Sequence, residues 1–212
     1  MQASTTDQAT IDRITAKAME EFFRFGIRSV SMDDISKLMG MSKKTLYKYF
    51  DNKKDLVHSV VRYKILQEVD VLDSVETQAR DAIHEMVILS EHIIDHVSTI
   101  APTVVIDLQK YYPQSWSHIQ SFQREHLYKM IKSNVDRGIL EGYYRNTLRS
   151  DIISKLYVSM CFIIDDVNTF PQHIYNREII IRQVIYYHLN GILTEEGRAH
   201  LHQFELFKTY YE

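Results

Sequence analysis

The sequence predicts an all-α protein, and three observations predict it. Glycine and proline are scarce, 6 and 3 in 212 residues, too few for a turn-rich β-fold. Apolar residues recur at three- and four-residue spacing along most of the chain. Helix-start signals, Ser or Asn followed three residues later by Asp, stand just before such segments.

Taken in order, residues 7–25 place Ile11, Ile14, Ala18, Phe22 and Phe25 on one helical face, with Gly26 as a C-cap. Ser31 and Asp34 form a capping box that opens a second helix, with Ile35 and Leu38 turned inward and Gly40 ending it. Ser42 caps a third helix, in which Leu46 and Tyr49 or Phe50 face the core. Asn52 and Asp55 open a fourth over about 53–72. A longer helix is predicted over 79–98, carrying Ile83, Met86, Val87, Ile93, Ile94 and Val97. Pro102 suits the first turn of a short helix reaching about 110. Pro113 precedes a helix from about 115 to 137, which Gly138 ends, and 137–147 reads as a loop. Residues 150–167 and 176–194 are two strongly apolar helices, and a short amphipathic piece follows GILTEEGR (191–198).

Composition narrows the setting. A single cysteine, Cys161, rules out an intrachain disulfide and suits a reducing compartment. The N-terminal MQASTTDQAT has no apolar stretch of the kind a signal peptide needs, and no apolar run approaches a membrane span. A cytoplasmic protein with no membrane partner is expected. The formal net charge is -3, but it is unevenly spread. Residues 1–64 hold 12 Lys and Arg against 8 Asp and Glu, whereas residues 65–212 hold 13 against 20. A basic head on an acidic body suggests that only the head meets a polyanion.

Helix, short turn with Gly40, helix is the pattern of a helix-turn-helix, whose second helix enters the major groove of DNA. The residues at its start, Ser42, Lys43, Lys44 and Thr45, would lie nearest the base edges. Tyr47 and Lys48 would lie near flanking phosphates. Lys53 adds an independent argument. A cation in the first turn of the fourth helix opposes the helix dipole, by about 0.3–1 kcal/mol if exposed. A phosphate docked at that helix end resolves the conflict; solvated surface lysines are the alternative.

Residues 31–56, SMDDISKLMGMSKKTLYKYFDNKKDL, closely resemble the DNA-binding signature of the TetR family of bacterial transcriptional regulators. The resemblance is carried by Ser31, Ile35, Ser36, Gly40, Ser42, Thr45, Leu46-Tyr47, Tyr49-Phe50, Lys53 and Leu56, with Ser36 where the family most often has alanine. It covers about residues 10–65, with a weaker likeness at GILEGYYR (138–145). The resemblance implies about nine helices: a three-helix DNA-binding head with its helix-turn-helix over 1–52, and a helical effector-binding and dimerisation body over 53–212. It also implies a homodimer on a palindromic operator in double-stranded DNA, most often a repressor released by a small-molecule effector. Ser31 then joins Tyr47 and Lys53 as a phosphate contact. The last two long helices usually form the dimer interface; here that points to Ile153, Leu156, Met160, Ile180, Val184 and Leu189, with plain core as the alternative.

Other chemistry finds little support. His92 and His96 share a helical face, but two ligands do not make a metal site, and no metal or cofactor is expected. No nucleophile elbow, P-loop, zinc-protease or dinucleotide motif is present, so no enzyme is expected. Cys161 sits in an apolar helix and reads as packing. Trp116, Phe122, His126, Tyr157 and Phe162 are candidates to line a largely apolar effector pocket. The rival reading is a helical ligand- or protein-binding module with a vestigial head; the intact basic third helix argues against it.

Overall fold

The computed structural model describes residues 5–101, 103–171 and 173–208. Their regular structure is helical: α1 (Thr5–Phe25), α2 (Met32–Leu38), α3 (Lys43–Leu46), α4 (Lys53–Gln78), α5 (Ala82–Ser98), α6 (Thr103–Tyr111), α7 (Pro113–Phe122), α8 (Tyr128–Leu140), α9 (Ser150–Ile164), α10 (Arg177–Ile192), α11 (Glu195–Leu201) and α12 (Glu205–Lys208). A π-helical turn, Gln123–Leu127, joins α7 to α8, and Tyr144 and Leu193 form an isolated antiparallel bridge. Pro102, expected in the first turn of α6, lies outside the described residues. The chain divides into two compact units, Met1–Gln67 with Thr99–Gln120, and Glu68–Ser98 with Ser121–Glu212.

The first unit is built on Ile14, Ala18 and Phe22 of α1, all essentially unexposed, against Ile35, Leu46, Phe50 and Leu56. Gly26 ends α1 at φ +85°, its N–H donating to Phe22 O at 2.9 Å. The capping box forms as expected: Asp34 N–H donates to Ser31 Oγ at 3.2 Å, and Ser31 N–H to Asp34 Oδ2 at 2.9 Å. Gly40 turns the chain at φ +62°, and Met41 N–H closes the turn on Ser36 O at 3.0 Å. Two positions differ from the periodic reading. Phe25 and Leu38 face outward, each 49% exposed. On the two-turn α2 the inner positions go to Met32, Ile35 and Ser36. Phe25 instead lies under the Arg24 guanidinium, 4.9 Å from its ring centre. α6 and α7 complete this core with Val104, Leu108 and the half-buried Trp116 and Ile119.

The second unit packs Ile83, Met86 and Leu89 of α5 against Ile131 and Val135 of α8, Tyr157 of α9, and Ile185 and Leu189 of α10. α4 runs to Gln78, beyond the expected end near 72. The expected helix 115–137 also continues, to Leu140, and Gly138 lies inside it. Gly138 is not a stop but a seat for Tyr144, whose ring occupies the space a Cβ would need. The turn itself is made at Gly142, φ +80°. Tyr144 is 1% exposed, and its hydroxyl lies 3.1 Å from Ala82 O and 3.0 Å from Asn134 Oδ1. Glu85 sits beside this cluster, 2% exposed, and burial raises its carboxyl above the ordinary range despite Asn134 and Arg137 nearby. α11 is tied to the start of α5 by His200 Nε2 and Asp81 Oδ2 at 3.0 Å.

Candidate nucleic-acid interface

The exposed rim of the first unit gathers the residues that sequence singled out. Ser42 caps α3 by accepting from Thr45 N–H at 3.0 Å, and the two hydroxyls stand 2.8 Å apart. Leu46, with no exposed surface, and Phe50 pin the helix to the core. Lys44, Tyr47 and Lys48 are thereby left in solvent. Lys43 is also exposed but forms an ion pair with Asp33 of α2, so DNA would have to compete for it.

Lys53 is only half-buried, not a freely solvated surface lysine. Its Nζ lies 5.8 Å from the centre of the Phe22 ring. Burial depresses its pKa, opposed by the carboxylates of Asp107 and Asp34. Asp34 is the capping partner of Ser31, and its own carboxyl is held low first by that hydroxyl's hydrogen bond. The starts of α2 and α4, with Ser31 and Lys53, therefore share one electrostatic neighbourhood. The Lys54 and Asp55 N–H groups there donate to Asn52 Oδ1 at 2.8 and 3.1 Å, so a phosphate at this end of α4 would be held by the lysine and the helix dipole.

A family model described as bacterial regulatory proteins, tetR family, matches residues 14–60. Over that segment, which spans α1 to the start of α4, the chain is similar to TetR-family regulators. An uncharacterised HTH-type transcriptional regulator of Bacillus subtilis, YvaF, is 21% identical over 172 residues, covering 79% of this chain and 88% of that one. A TetR-family regulator from Agrobacterium tumefaciens shares the fold at TM-score 0.69 and 15% identity, over 89% of this chain and all of the other. The fatty acid degradation regulator FadR from Bacillus halodurans does so at TM-score 0.63 and 18% identity, over 90% and 98%. No helix among the described residues is long and apolar enough to cross a membrane.

The second unit distributes the remaining candidates. Phe122 stacks on His126 across the π-helical turn, ring centres 5.7 Å apart, and Arg124 lies 5.2 Å from the centre of Phe162. Tyr157 is buried with its ring edge-on to His188 at 4.7 Å. Trp116 does not join them; it packs in the core of the first unit. A groove of about 260 Å³ is lined by Leu72, Asp73, Glu76, His126, Lys129 and Met130 among others, so of the five pocket candidates only His126 reaches it. Burial pushes the Cys161 thiol up to about 12, which leaves it inert near neutral pH. His92 and His96 both face Glu68 of α4, at 3.1 and 3.9 Å. Among the described residues no group of three or more His, Cys, Asp or Glu is set to hold a metal ion.

His188 itself was not anticipated. Its ring is 5% exposed, Nε2 has no hydrogen-bond partner among the described residues, and burial lowers its pKa to about 4. In the unfolded chain it titrates near 6.5. Its contribution to stability is therefore present above pH 6.5 and lost as pH falls toward about 4. Urea melts at pH 7.5, 6 and 5 should show that decline, and His188→Phe should flatten it. An unchanged slope in the variant would assign the decline to other groups.

Of the six interface candidates, Leu189 has no exposed surface and Ile180 is buried, both inside their own chain. Ile153, Met160 and Val184 are partly covered, and Leu156 is exposed. The outward apolar face falls one step round each helix: Ile152, Leu156 and Ile163 on α9, Ile179 and Tyr187 on α10, all exposed.

Proposed function

We propose that this protein works as a homodimer that represses transcription from a palindromic operator and is released by a largely apolar effector. The observation that carries the DNA reading is the solvent-facing, basic start of α3 beside the half-buried Lys53 at the start of α4. In this reading residues 1–52 form the DNA-binding head, to which Lys53 at the start of α4 adds a phosphate contact, and the rest of 53–212 serves effector binding and dimerisation. Ser42, Thr45, Lys44 and Lys43 lie at the base edges, while Ser31, Tyr47, Lys48 and Lys53 fix phosphates. Pairing through the exposed residues of α9 and α10 would cover apolar surface otherwise left in water, and would set two α3 helices about 34–36 Å apart. The aromatic core of the second unit favours an apolar effector, which acts only by binding one conformation better than the other. We read the chain as a cytoplasmic transcription factor without catalytic activity.

The test is binding of the purified protein to DNA upstream of its own gene, against excess non-specific DNA, over a salt series. About four to six phosphate contacts per dimer should give a log–log salt slope of about -4 to -5. Binding that is flat in salt sinks the phosphate assignments. Failure to prefer any fragment in a genome-wide selection favours the vestigial-head reading.

A further inference from the structure

Within the first unit, the turn between α1 and α2 is clamped from outside its own stretch of chain. Ala101 N–H donates to Phe23 O at 2.6 Å. Gly26 lies so close to α6 that a Cβ there would stand 2.5 Å from Thr103 Oγ1. One helical turn on, Asp107 Oδ2 accepts the backbone N–H of Arg28 at 3.0 Å. The Arg28 guanidinium then lies 4.6 Å from the centre of the Tyr111 ring and donates from Nη1 to its hydroxyl at 3.1 Å. Asp107 is 7% exposed. A carboxylate at such a place is costly unless hydrogen-bonded and near positive charge. Its backbone donor and the neighbouring Lys53 and Arg28 supply both.

We propose that Asp107 is a positioning residue for DNA recognition, holding the Gly26–Val30 turn so that Ser31 and Lys53 keep the spacing that DNA requires. The inference rests on the DNA-binding reading above. Arg28 is three residues from Ser31, the cap on which α2 and its turn into α3 are built. Asp107 also stands among the opposing charges around Lys53. One carboxylate thus faces both halves of the phosphate-holding rim. It makes no contact that requires DNA, so its influence is on geometry.

Three variants, Asp107→Ala, Asp107→Asn and Asp107→Glu, would be compared with the wild type. The readouts are affinity for the operator and for non-specific DNA across salt, thermal midpoint, and the amide ¹H–¹⁵N signal of Arg28. Asp107→Ala should lose about tenfold in operator affinity, the scale of one hydrogen bond to a charged group. Non-specific affinity should fall less, because Ser31 and Lys53 remain available to phosphates and only their fixed register on the duplex is lost. Asp107→Asn keeps an acceptor for the Arg28 N–H and should stay within about threefold of the wild type. Asp107→Glu keeps the charge but moves the acceptor, and should lose specific affinity; it decides the matter if the alanine variant does not fold. The proposal is overturned if the folded variants differ from the wild type only in thermal midpoint. It is equally overturned if specific and non-specific affinities move together, which would make Asp107 a general charge effect. A wild type without operator preference would instead remove the DNA reading itself.

Discussion

Replacing Lys53 by Met should weaken operator binding by about 10–100-fold and make the salt slope shallower by about two, one contact per protomer, while the protein becomes no less stable. The two halves of this expectation come from one geometry. Lys53 opens α4, where the helix carries partial positive charge, and its stem is half-buried with the ammonium near the Phe22 ring. Burial depresses its pKa, so the folded state bears a cost for keeping it charged. Methionine preserves the stem and removes that cost. An ordinary structural lysine would show the opposite coupling, with stability lost and DNA affinity kept. A phosphate docked at the positive end of α4 offsets the penalty by pairing with the lysine. Anisotropy titrations at several salt concentrations, run beside thermal melts, separate the cases. Unchanged affinity and slope would remove Lys53 from the phosphate contacts.

What the sequence made legible was local. Ser31 with Asp34, Ser42 with Thr45, and Asn52 with Asp55 are contacts over three residues, and the structure forms each of them. Gly26 and Gly40 were legible for the same reason, since a positive φ at a helix end needs no distant partner. Phe25 and Leu38 were misread because a short apolar pattern cannot say which edge of a face the neighbouring helices cover. Asp107 was hidden by distance: its partner Arg28 is 79 residues away. Its position was still a signal, an acid between Val104 and Leu108 on an otherwise apolar face of α6. Trp116 and Phe122 are both expected at the pocket from aromatic composition alone, yet the two pack against the cores of different units. The π-helical turn, which α7 and α8 share, had no signature in composition at all.

Gly138 shows the same limit with a larger consequence, and Gly138→Ala is expected to destabilise the second unit by about 3–5 kcal/mol. A Cβ at Gly138 would stand 2.2, 2.4 and 2.7 Å from Cδ2, Cε2 and Cγ of Tyr144. The ring has little room to retreat. It is 1% exposed, and its hydroxyl bonds to Ala82 O and Asn134 Oδ1. Asn134 in turn donates to Ala82 O at 2.8 Å, so moving the ring strips partners from buried polar groups. Overpacking costs about 1–3 kcal/mol, occasionally more, and each orphaned buried group about 1–3 more. Alanine's higher helix propensity returns only about 1 kcal/mol. Urea denaturation measures the loss directly. Tyr144→Ala opens the space that Gly138→Ala needs, so the double variant should be less destabilised than the two single changes added together. A Gly138→Ala protein within about 0.5 kcal/mol of the wild type would mean that α8 or the Tyr144 loop yields easily, and the glycine would then be no more than an ordinary surface-tolerant position.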